Sequence, residues 1–439
     1  MISVQTPVEK AAIIHPRFSN ARADNAEYDL TEAIGLAEAL GVDTKISRIV
    51  PIRDLKVANF LGFGQIENIA SEVRAHDVSI VIINAALTPV QQRNLERIWK
   101  AKVIDRTGLI LEIFGLRAAT KEGKLQVELA RLGYERSRLV RTWTHLERQR
   151  GGTGTVAGPG ETQIESDRRV LNDKIAKLKR QLNQVRRTRG LQRQKRQRAP
   201  ERVAALVGYT NAGKSTLFNL LTQGGVFAKD MLFATLDTTH RVLLLPSGQP
   251  VVLSDTVGFI SDLPTDLIDA FRATLEEVKE ADLLIHVRDI SDPLTDRRRE
   301  EVMQVLDQIE AGPEHGQDII EVWNKTDQLT ENEIQHLDER AQASYELKDM
   351  MAAFPVSCHT KDGLDRLLLG IESTLTAGDE VLHVDIPPQQ YDVRAWLHKN
   401  GHVIKESTRK NGTCEMDVRL SEADAGKLRA KHRDLVSSS

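Results

Sequence analysis

Residues 203–215, VAALVGYTNAGKS, join an apolar run to a glycine-rich turn, and no other part of the chain restricts the fold as strongly. The turn has the spacing GxxxxGK[ST], in which Gly208 and Gly213 permit backbone conformations that direct successive N–H groups at phosphate oxygens. Lys214 adds a positive charge for the terminal phosphates, and Ser215 offers a hydroxyl to Mg²⁺ at the positive end of the helix that follows. Strand, loop and helix together predict a doubly wound α/β domain that binds a nucleotide.

A second apolar run, VVLSDTVG, ends in Asp255 and leads to Gly258. A carboxylate at the end of a neighbouring strand can bind Mg²⁺ through water, and the N–H group of a glycine can approach the terminal phosphate. The DxxG spacing after a phosphate loop therefore predicts a second phosphate contact.

The segment IIEVWNKTD predicts which nucleotide base is bound. In this segment Asn324, Lys325 and Asp327 follow a further apolar run. Guanine presents a ring N–H beside an exocyclic amine, and one carboxylate can accept both hydrogen bonds. Adenine would leave that buried charge poorly paired. We therefore expect the ligands to be GTP and GDP. The segment PVSCHT, with Ser357 and Cys358, is expected to close over the base with backbone N–H groups.

Residues 233–239, FATLDTT, lie between the phosphate loop and the DxxG segment. A threonine here would complete the Mg²⁺ coordination only while the terminal phosphate is present, so the segment is expected to act as a switch. Thr235 is the predicted ligand, and Thr238 and Thr239 are alternatives that the sequence leaves open.

The residue directly after DxxG is Phe259. Many GTPases have a glutamine at this position that orients the attacking water, whereas a phenylalanine side chain neither donates nor accepts a hydrogen bond. Intrinsic hydrolysis is therefore expected to be slow. A partner, a rearranged water site or another cation is expected to supply the missing stabilisation.

The predicted site has two catalytic residues, Lys214 and Thr235, within a larger nucleotide-binding set. That set comprises Gly208, Tyr209, Thr210, Asn211, Ala212, Gly213, Lys214, Ser215, Thr216, Phe233, Ala234, Thr235, Leu236, Asp237, Asp255, Thr256, Val257, Gly258, Asn324, Lys325, Thr326, Asp327, Ser357, Cys358 and His359. The predicted Mg²⁺ ligands are Ser215 and Thr235.

A chain of 439 residues is too long to fold around one ordinary hydrophobic core, and changes of pattern along the chain predict four domains. Residues 1–115 alternate apolar runs with helical periodicity and are expected to form a small α/β binding domain. Residues 116–200 carry two apolar stripes joined by a glycine-rich loop, and they predict a long helical hairpin. The first stripe includes Leu125, Leu129 and Leu132, and the second consists of Leu171, Ile175, Leu178, Leu182 and Val185. Residues 201–375 form the predicted GTPase domain, and residues 376–439 a small C-terminal α/β module.

Charge is unevenly distributed although the net charge is only −3. Residues 174–200 contain eleven Lys or Arg and no Asp or Glu. Such a run is either a solvated linker or a surface for RNA phosphates, and counterion release favours the second interpretation. No aromatic residue interrupts the run, so contact is expected with the RNA backbone and not with stacked bases.

Composition and the pattern of apolar residues indicate the cellular compartment of the protein. No window has eighteen apolar residues, the start MISVQTPVEK lacks the apolar core of a secretion signal, and the two cysteines, Cys358 and Cys414, suit a reducing environment. We expect a cytoplasmic monomer without a membrane span, peripheral to ribosomes if the basic run contacts RNA.

Several motifs taken together resemble the HflX family of translation-associated GTPases. They are GYTNAGKSTLFN, LFATLDTT, SDTVGFISDLP, NKTD and, upstream, GPGETQIESDRR, and the resemblance covers residues from about 10 to 375. It implies a GTPase that binds the large ribosomal subunit through its N-terminal and helical domains, is stimulated by the ribosome, and splits stalled or stress-damaged ribosomes. Ser215 and Thr235 match the family's Mg²⁺ ligands, and Asp327 matches its guanine-binding carboxylate.

The resemblance leaves several points open. In some similar GTPases an asparagine at the position of Asn211 coordinates K⁺ beside the phosphates, but the same residue can simply stabilise a turn. A ribosome-assembly GTPase that acts on immature large subunits, or an RNA-binding nucleotide sensor that does not hydrolyse GTP, would also use this set of motifs.

Replacing Asp327 by Asn is expected to weaken GTP binding by about tenfold or more, since hydrogen bonds to charged groups contribute about 1.5–3 kcal/mol. The new amide can donate to the additional carbonyl of xanthine, so preference should shift toward xanthosine triphosphate. Equilibrium titrations with both nucleotides measure this shift. Unchanged GTP affinity in the variant would refute the assignment of Asp327.

Overall fold

The computed structural model of the protein describes residues 8–18, 26–147, 159–196, 202–222, 233, 238–260, 275–346 and 351–437. The chain divides into two compact units. The first contains residues 1–186, 229–237 and 262–272, and the second contains residues 187–228, 238–261 and 273–439.

The first unit begins with a parallel four-stranded sheet of order β2-β1-β3-β4 and helices between the strands. The elements are β1 (Lys10–Phe18), α1 (Ala26–Leu40), β2 (Asp43–Ile52), α2 (Phe63–Ala75), β3 (Ile80–Ile83), α3 (Pro89–Trp99), β4 (Lys102–Asp105) and α4 (Arg106–Arg117). All four residues of β3 are buried, as expected for a strand covered on both faces. Helix α3 begins with a capping box between Thr88 and Gln91, with proline in its first turn.

Two long helices follow, α5 (Lys121–Glu147) and α6 (Pro159–Arg196). On α6, the buried residues Ile175, Leu178 and Leu182 belong to the predicted apolar stripe. On α5 the buried face is shifted by one to two residues from the predicted stripe, with Val127 and Ala130 buried and the predicted leucines half-buried. The glycine-rich residues 151–158 lie outside the described residues, and the pairing of the two helices stays a prediction.

The second unit contains a six-stranded sheet of order β10-β9-β8-β5-β7-β6, parallel except where β6 pairs with β7. Its elements are β5 (Arg202–Val207), α7 (Lys214–Leu221), β6 (Thr239–Leu244), β7 (Pro250–Asp255), β8 (Leu283–Asp289), α8 (Thr295–Gln308), β9 (Asp318–Asn324), α9 (Glu331–Glu346), β10 (Ala353–Pro355) and α10 (Leu364–Leu375). Residues Leu206, Leu253 and Ile285 of adjacent strands are fully buried in one core. The order brings the carboxyl ends of β5, β7, β8 and β9 to one edge, where open α/β sheets bind ligands.

A four-stranded antiparallel sheet of order β12-β13-β11-β14 ends the second unit. Its elements are β11 (Asp379–Ile386), α11 (Tyr391–Asn400), β12 (His402–Thr408), β13 (Cys414–Ser421), α12 (Glu422–Lys431) and β14 (Val436–Ser437). Burial alternates along β13, with Cys414, Met416, Val418 and Leu420 buried, so one face of the sheet meets the helices and the other is open.

These elements confirm the predicted fold class, a doubly wound P-loop domain preceded by an α/β domain and long helices and followed by an α/β module. The exact domain boundaries stay predictions. Within the described parts of the chain, no helix combines the length and the apolarity needed to cross a membrane.

Gly370 tests the packing between α10 and the large sheet. A Cβ at this position would lie 2.1 Å from Cζ of Phe354, so Gly370→Ala is expected to lower the free energy of unfolding by about 1–3 kcal/mol despite the better helix propensity of alanine. At Gly426 of α12, a Cβ would have none of the described atoms within 4 Å, and Gly426→Ala should stabilise by about 0.5–1 kcal/mol. Urea unfolding measures both changes, and stabilisation by both substitutions would contradict the packing.

Candidate nucleotide-binding site

The phosphate loop joins β5 to α7 and depends on two glycines. Gly208 has a φ of +146°, and a Cβ there would lie 2.2 Å from the carbonyl oxygen of Val287 on β8. Gly213 has a φ of +96°, and its Cβ would lie 2.1 Å from Nδ2 of Asn324. Any larger residue would therefore push the loop away from the strands on which it rests.

Lys214, the first residue of α7, lies across this loop. Its Nζ donates to the carbonyl oxygens of Gly208, at 3.0 Å, and Tyr209, at 2.7 Å. Burial lowers the pKa of Lys214 to about 8, and the Asp255 carboxylate opposes the shift. The ammonium group is thus charged at neutral pH and only weakly compensated, which favours an incoming phosphate.

The hydroxyl of Ser215, a predicted Mg²⁺ ligand, donates at 2.8 Å to Oδ2 of Asp255, which was predicted to contact the ion through water. A hydroxyl and a carboxylate provide the oxygen donors that Mg²⁺ prefers, and this pair fits that ion. Gly258 lies close by, where a Cβ would be 2.9 Å from Nζ of Lys214. Only glycine lets the backbone of the DxxG segment approach the lysine this closely.

Phe259 is joined to the phosphate loop through its backbone. Its N–H donates to the carbonyl of Gly208 at 3.1 Å, and its carbonyl accepts from the N–H of Thr210 at 2.7 Å. The side chain is only 4% exposed. The position of the usual glutamine is thus occupied by a residue whose backbone is fixed by two hydrogen bonds and whose buried ring cannot orient water.

Asn324 at the end of β9 connects the phosphate loop to the base end of the site. Its Nδ2 donates to the carbonyl of Ala212 at 2.8 Å, and its Oδ1 accepts from the N–H of Cys358 at 3.1 Å. The side chain is 2% exposed. A buried amide with both ends bonded has one orientation, so it sets the distance between the two loops.

Asp327, the predicted guanine-binding carboxylate, accepts a hydrogen bond at 2.6 Å from the hydroxyl of Ser357. Lys325 has a positive φ of +66°, and its Nζ lies 2.6 Å from Oδ2 of Asp289. Burial, reinforced by the charge of Asp327, raises the pKa of the Cys358 thiol to about 12, so the thiol stays protonated. At position 358 only the backbone N–H bonds to Asn324, which does not require a particular side chain.

The other predicted residues divide into three groups. Thr256 is buried, and its hydroxyl donates to the carbonyl oxygen of Leu206 at 2.5 Å. Asn211, which has a φ of +62°, Thr216 and His359 are exposed. Val257 of the DxxG segment is half-buried, and Thr326 of the NKTD segment is buried. Ala234, Thr235, Leu236 and Asp237 lie outside the described residues. Phe233 belongs to the first unit, where it is buried and packs edge-on against Phe114 with ring centroids 4.7 Å apart.

Two contacts of the site were not predicted. Asp289, at the end of β8, pairs with Lys325, and the guanidinium of Arg298 on α8 lies 4.6 Å from the ring centroid of Tyr209. The stretch RDISDP, which follows the buried run of β8, was the available signal for the first contact, because β8 ends at the same sheet edge as β9.

Known families and structures match this architecture. Four family models match in order: GTP-binding GTPase N-terminal over residues 27–115, GTP-binding GTPase Middle Region over 117–196, 50S ribosome-binding GTPase over 203–325 and HflX C-terminal domain over 337–435. GTPase HflX of Magnetococcus marinus is 43% identical over 98% of this chain and 97% of its own length, and GTPase HflX of Escherichia coli is 41% identical over 96% and 95%. The crystal structure of SsGBP with GDP is 26% identical, with a TM-score of 0.50, over 84% of this chain and 99% of that one.

Gly213→Ala is expected to weaken GDP and GTP binding by about tenfold or more. The added Cβ displaces the Asn324 amide, so the geometry that binds nucleotide becomes a minor state, and the positive φ adds about 1–3 kcal/mol of strain. Gly248→Ala is the matched control, because Gly248 has a φ of +84° but a Cβ there would have no described atom within 4 Å. Titration with a fluorescent GDP separates the two, and equal affinities would refute the role of the Gly213 contact.

Proposed function

The chain belongs to the HflX family and is a GTPase, and from this we propose that it binds the large ribosomal subunit and uses GTP to split stalled or stress-damaged ribosomes. The family model over residues 203–325 describes a 50S ribosome-binding GTPase, which supports a ribosomal partner. The proposal goes further in naming the large subunit as the docking partner and subunit separation as the result.

The observation that carries the proposal is the backbone pairing of Phe259 with Gly208 and Thr210. The residues predicted to contact phosphate and guanine are in place, but the Phe259 side chain cannot orient water, so GTP would bind long before it is hydrolysed. A long-lived GTP-bound state would give the protein time to bind its partner before the nucleotide is hydrolysed. The bound ribosome would then supply the missing catalytic stabilisation, and hydrolysis would release the protein.

The mechanism is a population shift. GTP would favour the ordered form of the switch containing Thr235 and of the DxxG segment, and this form would bind the separated subunit better than the intact ribosome. Differential affinity, and not the hydrolysis step, would then drive splitting. Hydrolysis resets the switch.

Cations are part of the proposal. Ser215 and Thr235 would bind Mg²⁺, with Asp255 contacting it through water, and the ion would neutralise charge on the phosphates. Asn211 would add a K⁺ ligand beside the phosphates, where an arginine finger reaches in other GTPases. Lys214 remains the protein's own charge on the terminal phosphates.

Contacts with ribosomal RNA are proposed for the N-terminal domain and for the helical domain with its basic run. The run extends along α6, whose backbone is helical to Arg196, so its charges would follow a rod and not a coil. Contact would be with phosphates, which makes binding dependent on salt. We further propose a cytoplasmic protein that acts as a monomer.

Sedimentation of intact ribosomes mixed with the protein tests this function. With GTP or a non-hydrolysable GTP analogue, intact ribosomes are expected to convert into subunits, and with GDP they should stay intact. The Lys214→Ala variant, which loses its phosphate contact, should be inactive with every nucleotide.

Two results would contradict the proposal. Binding to free large subunits without any splitting would favour the assembly function, in which the same switch tests an immature subunit. Failure to sediment with any ribosomal particle would remove the ribosomal function and favour a nucleotide sensor.

A further inference from the structure

The open face of the C-terminal sheet carries a cluster of metal-ligating side chains. His383 and Asp385 are two residues apart on β11, and they lie directly opposite Asp417 and Glu415 of β13. Since side chains two apart on a strand share a face, the four groups form a square on the side away from the core. One ligand atom from each of His383, Asp385 and Glu415 lies within 4.8 Å of the others.

The fourth member of this square, Asp417, orients the histidine. Nδ1 of His383 lies 2.6 Å from Oδ1 of Asp417. An ionised carboxylate can only accept, so Nδ1 carries a proton in this contact, and in the neutral imidazole the lone pair is then on Nε2. Histidines that bind metals typically have this arrangement, with a carboxylate on the nitrogen that does not bind the ion.

Nε2 of His383 faces a carboxylate oxygen of Asp385. The two atoms lie 3.8 Å apart, and this oxygen, Oδ1, is inaccessible to solvent and accepts no hydrogen bond from the residues that the structure describes. Its contact with Nη2 of Arg409, at 3.4 Å, is an ion pair without hydrogen-bond geometry. Two ligands bound to one tetrahedral Zn²⁺ at 2.0–2.2 Å are about 3.4 Å apart. The separation of Nε2 and Oδ1 exceeds this value by only a few tenths of an ångström, and Oδ1 lacks the hydrogen bond that a buried carboxylate oxygen normally has.

Arg409 contacts both carboxylates. Its Nε donates to Oε1 of Glu415 at 2.6 Å, and its Nη2 lies 3.4 Å from Oδ1 of Asp385. The hydroxyl of Ser407 also donates to Oε2 of Glu415 at 3.0 Å. One guanidinium cannot neutralise Asp385, Glu415 and Asp417 together, and negative charge remains beside the histidine lone pair.

We propose that His383, Asp385 and Glu415 bind a divalent transition-metal ion such as Zn²⁺, with Asp417 as the positioning residue of the histidine and Arg409 as the cation that occupies the site when the metal is absent. An imidazole beside two carboxylates suits Zn²⁺ or Co²⁺, whereas Mg²⁺ and Ca²⁺ prefer oxygen ligands alone. The ion would link β11 to β13 and stabilise the C-terminal module.

Titration of the full-length, tag-free protein with Zn²⁺ and with Co²⁺ tests the site. Excess Mg²⁺ and GDP keep the nucleotide site filled during the titration. Calorimetry measures Zn²⁺ affinity, and the visible absorption of Co²⁺ reports nitrogen and oxygen ligands. One ion should bind per chain and raise the unfolding temperature, and no binding beyond the nucleotide site would overturn the proposal.

Substitutions distinguish Zn²⁺ bound at this cluster from Zn²⁺ bound by other side chains of the protein. His383→Ala and Asp417→Asn should each weaken Zn²⁺ binding by about tenfold or more, since even residues behind the ligands contribute 10–100-fold. His432→Ala is the matched control, because His432 lies in the same module but outside any ligating cluster among residues that the structure describes. Equal loss in the control and in His383→Ala would contradict the assignment, with GDP affinity confirming that each variant is folded.

The Arg409→Gln variant tests most directly whether the guanidinium competes with the metal ion. If the guanidinium competes with the metal, its removal should strengthen Zn²⁺ binding although it removes hydrogen bonds from the module. A purely structural cluster would only lose stability in this variant. Weaker or unchanged Zn²⁺ affinity in Arg409→Gln would show that Arg409 does not compete for the site.

Discussion

The buried amide of Asn324 is the interaction on which the nucleotide site depends. One end bonds to the phosphate loop at Ala212 and the other to the base loop at Cys358. These loops are more than a hundred residues apart in sequence, and the amide fixes their separation because neither end can be released in the interior without an unpaired polar group. The nearby Gly213 must lack a Cβ for this amide to fit. The loop predicted to bind phosphate and the loop predicted to bind guanine are therefore joined in one hydrogen-bond network.

Because the backbone of Phe259 pairs with the phosphate loop, the site can bind nucleotide although it lacks a side chain that orients water for hydrolysis. The same backbone bonds that bring Gly258 to Lys214 bury the ring at the position where a water-orienting glutamine would stand. A site built in this way can bind the nucleotide fully and still turn it over slowly. Slow turnover leaves room for control by a partner, which is the physical basis of the proposed ribosomal function.

Local motifs predicted which residues lie near one another, because each motif combines a backbone requirement with a particular side chain, while the roles of these residues stay predictions. The phosphate loop, Ser215 with Asp255, and Asn324 with Asp327 were identified from spacing, and the structure brings them to one sheet edge. Contacts between distant segments carry no such spacing signal. The pairing of Lys325 with Asp289, the shifted buried face of α5 and the square around His383 depend on register and packing that appear only when strands and helices are assembled. The choice of Thr235 over its neighbours likewise stays a prediction.

The most direct measurement is GTP turnover by the purified protein, alone and with large ribosomal subunits, in KCl and in NaCl. We expect slow turnover by the protein alone and an increase of at least about tenfold with the subunits, since partner-supplied stabilisation in GTPases is at least this large. A higher rate in KCl than in NaCl would support the K⁺ function of Asn211. Fast turnover without subunits, or a slow rate that subunits leave unchanged, would contradict the claim that Phe259 makes hydrolysis dependent on the ribosome.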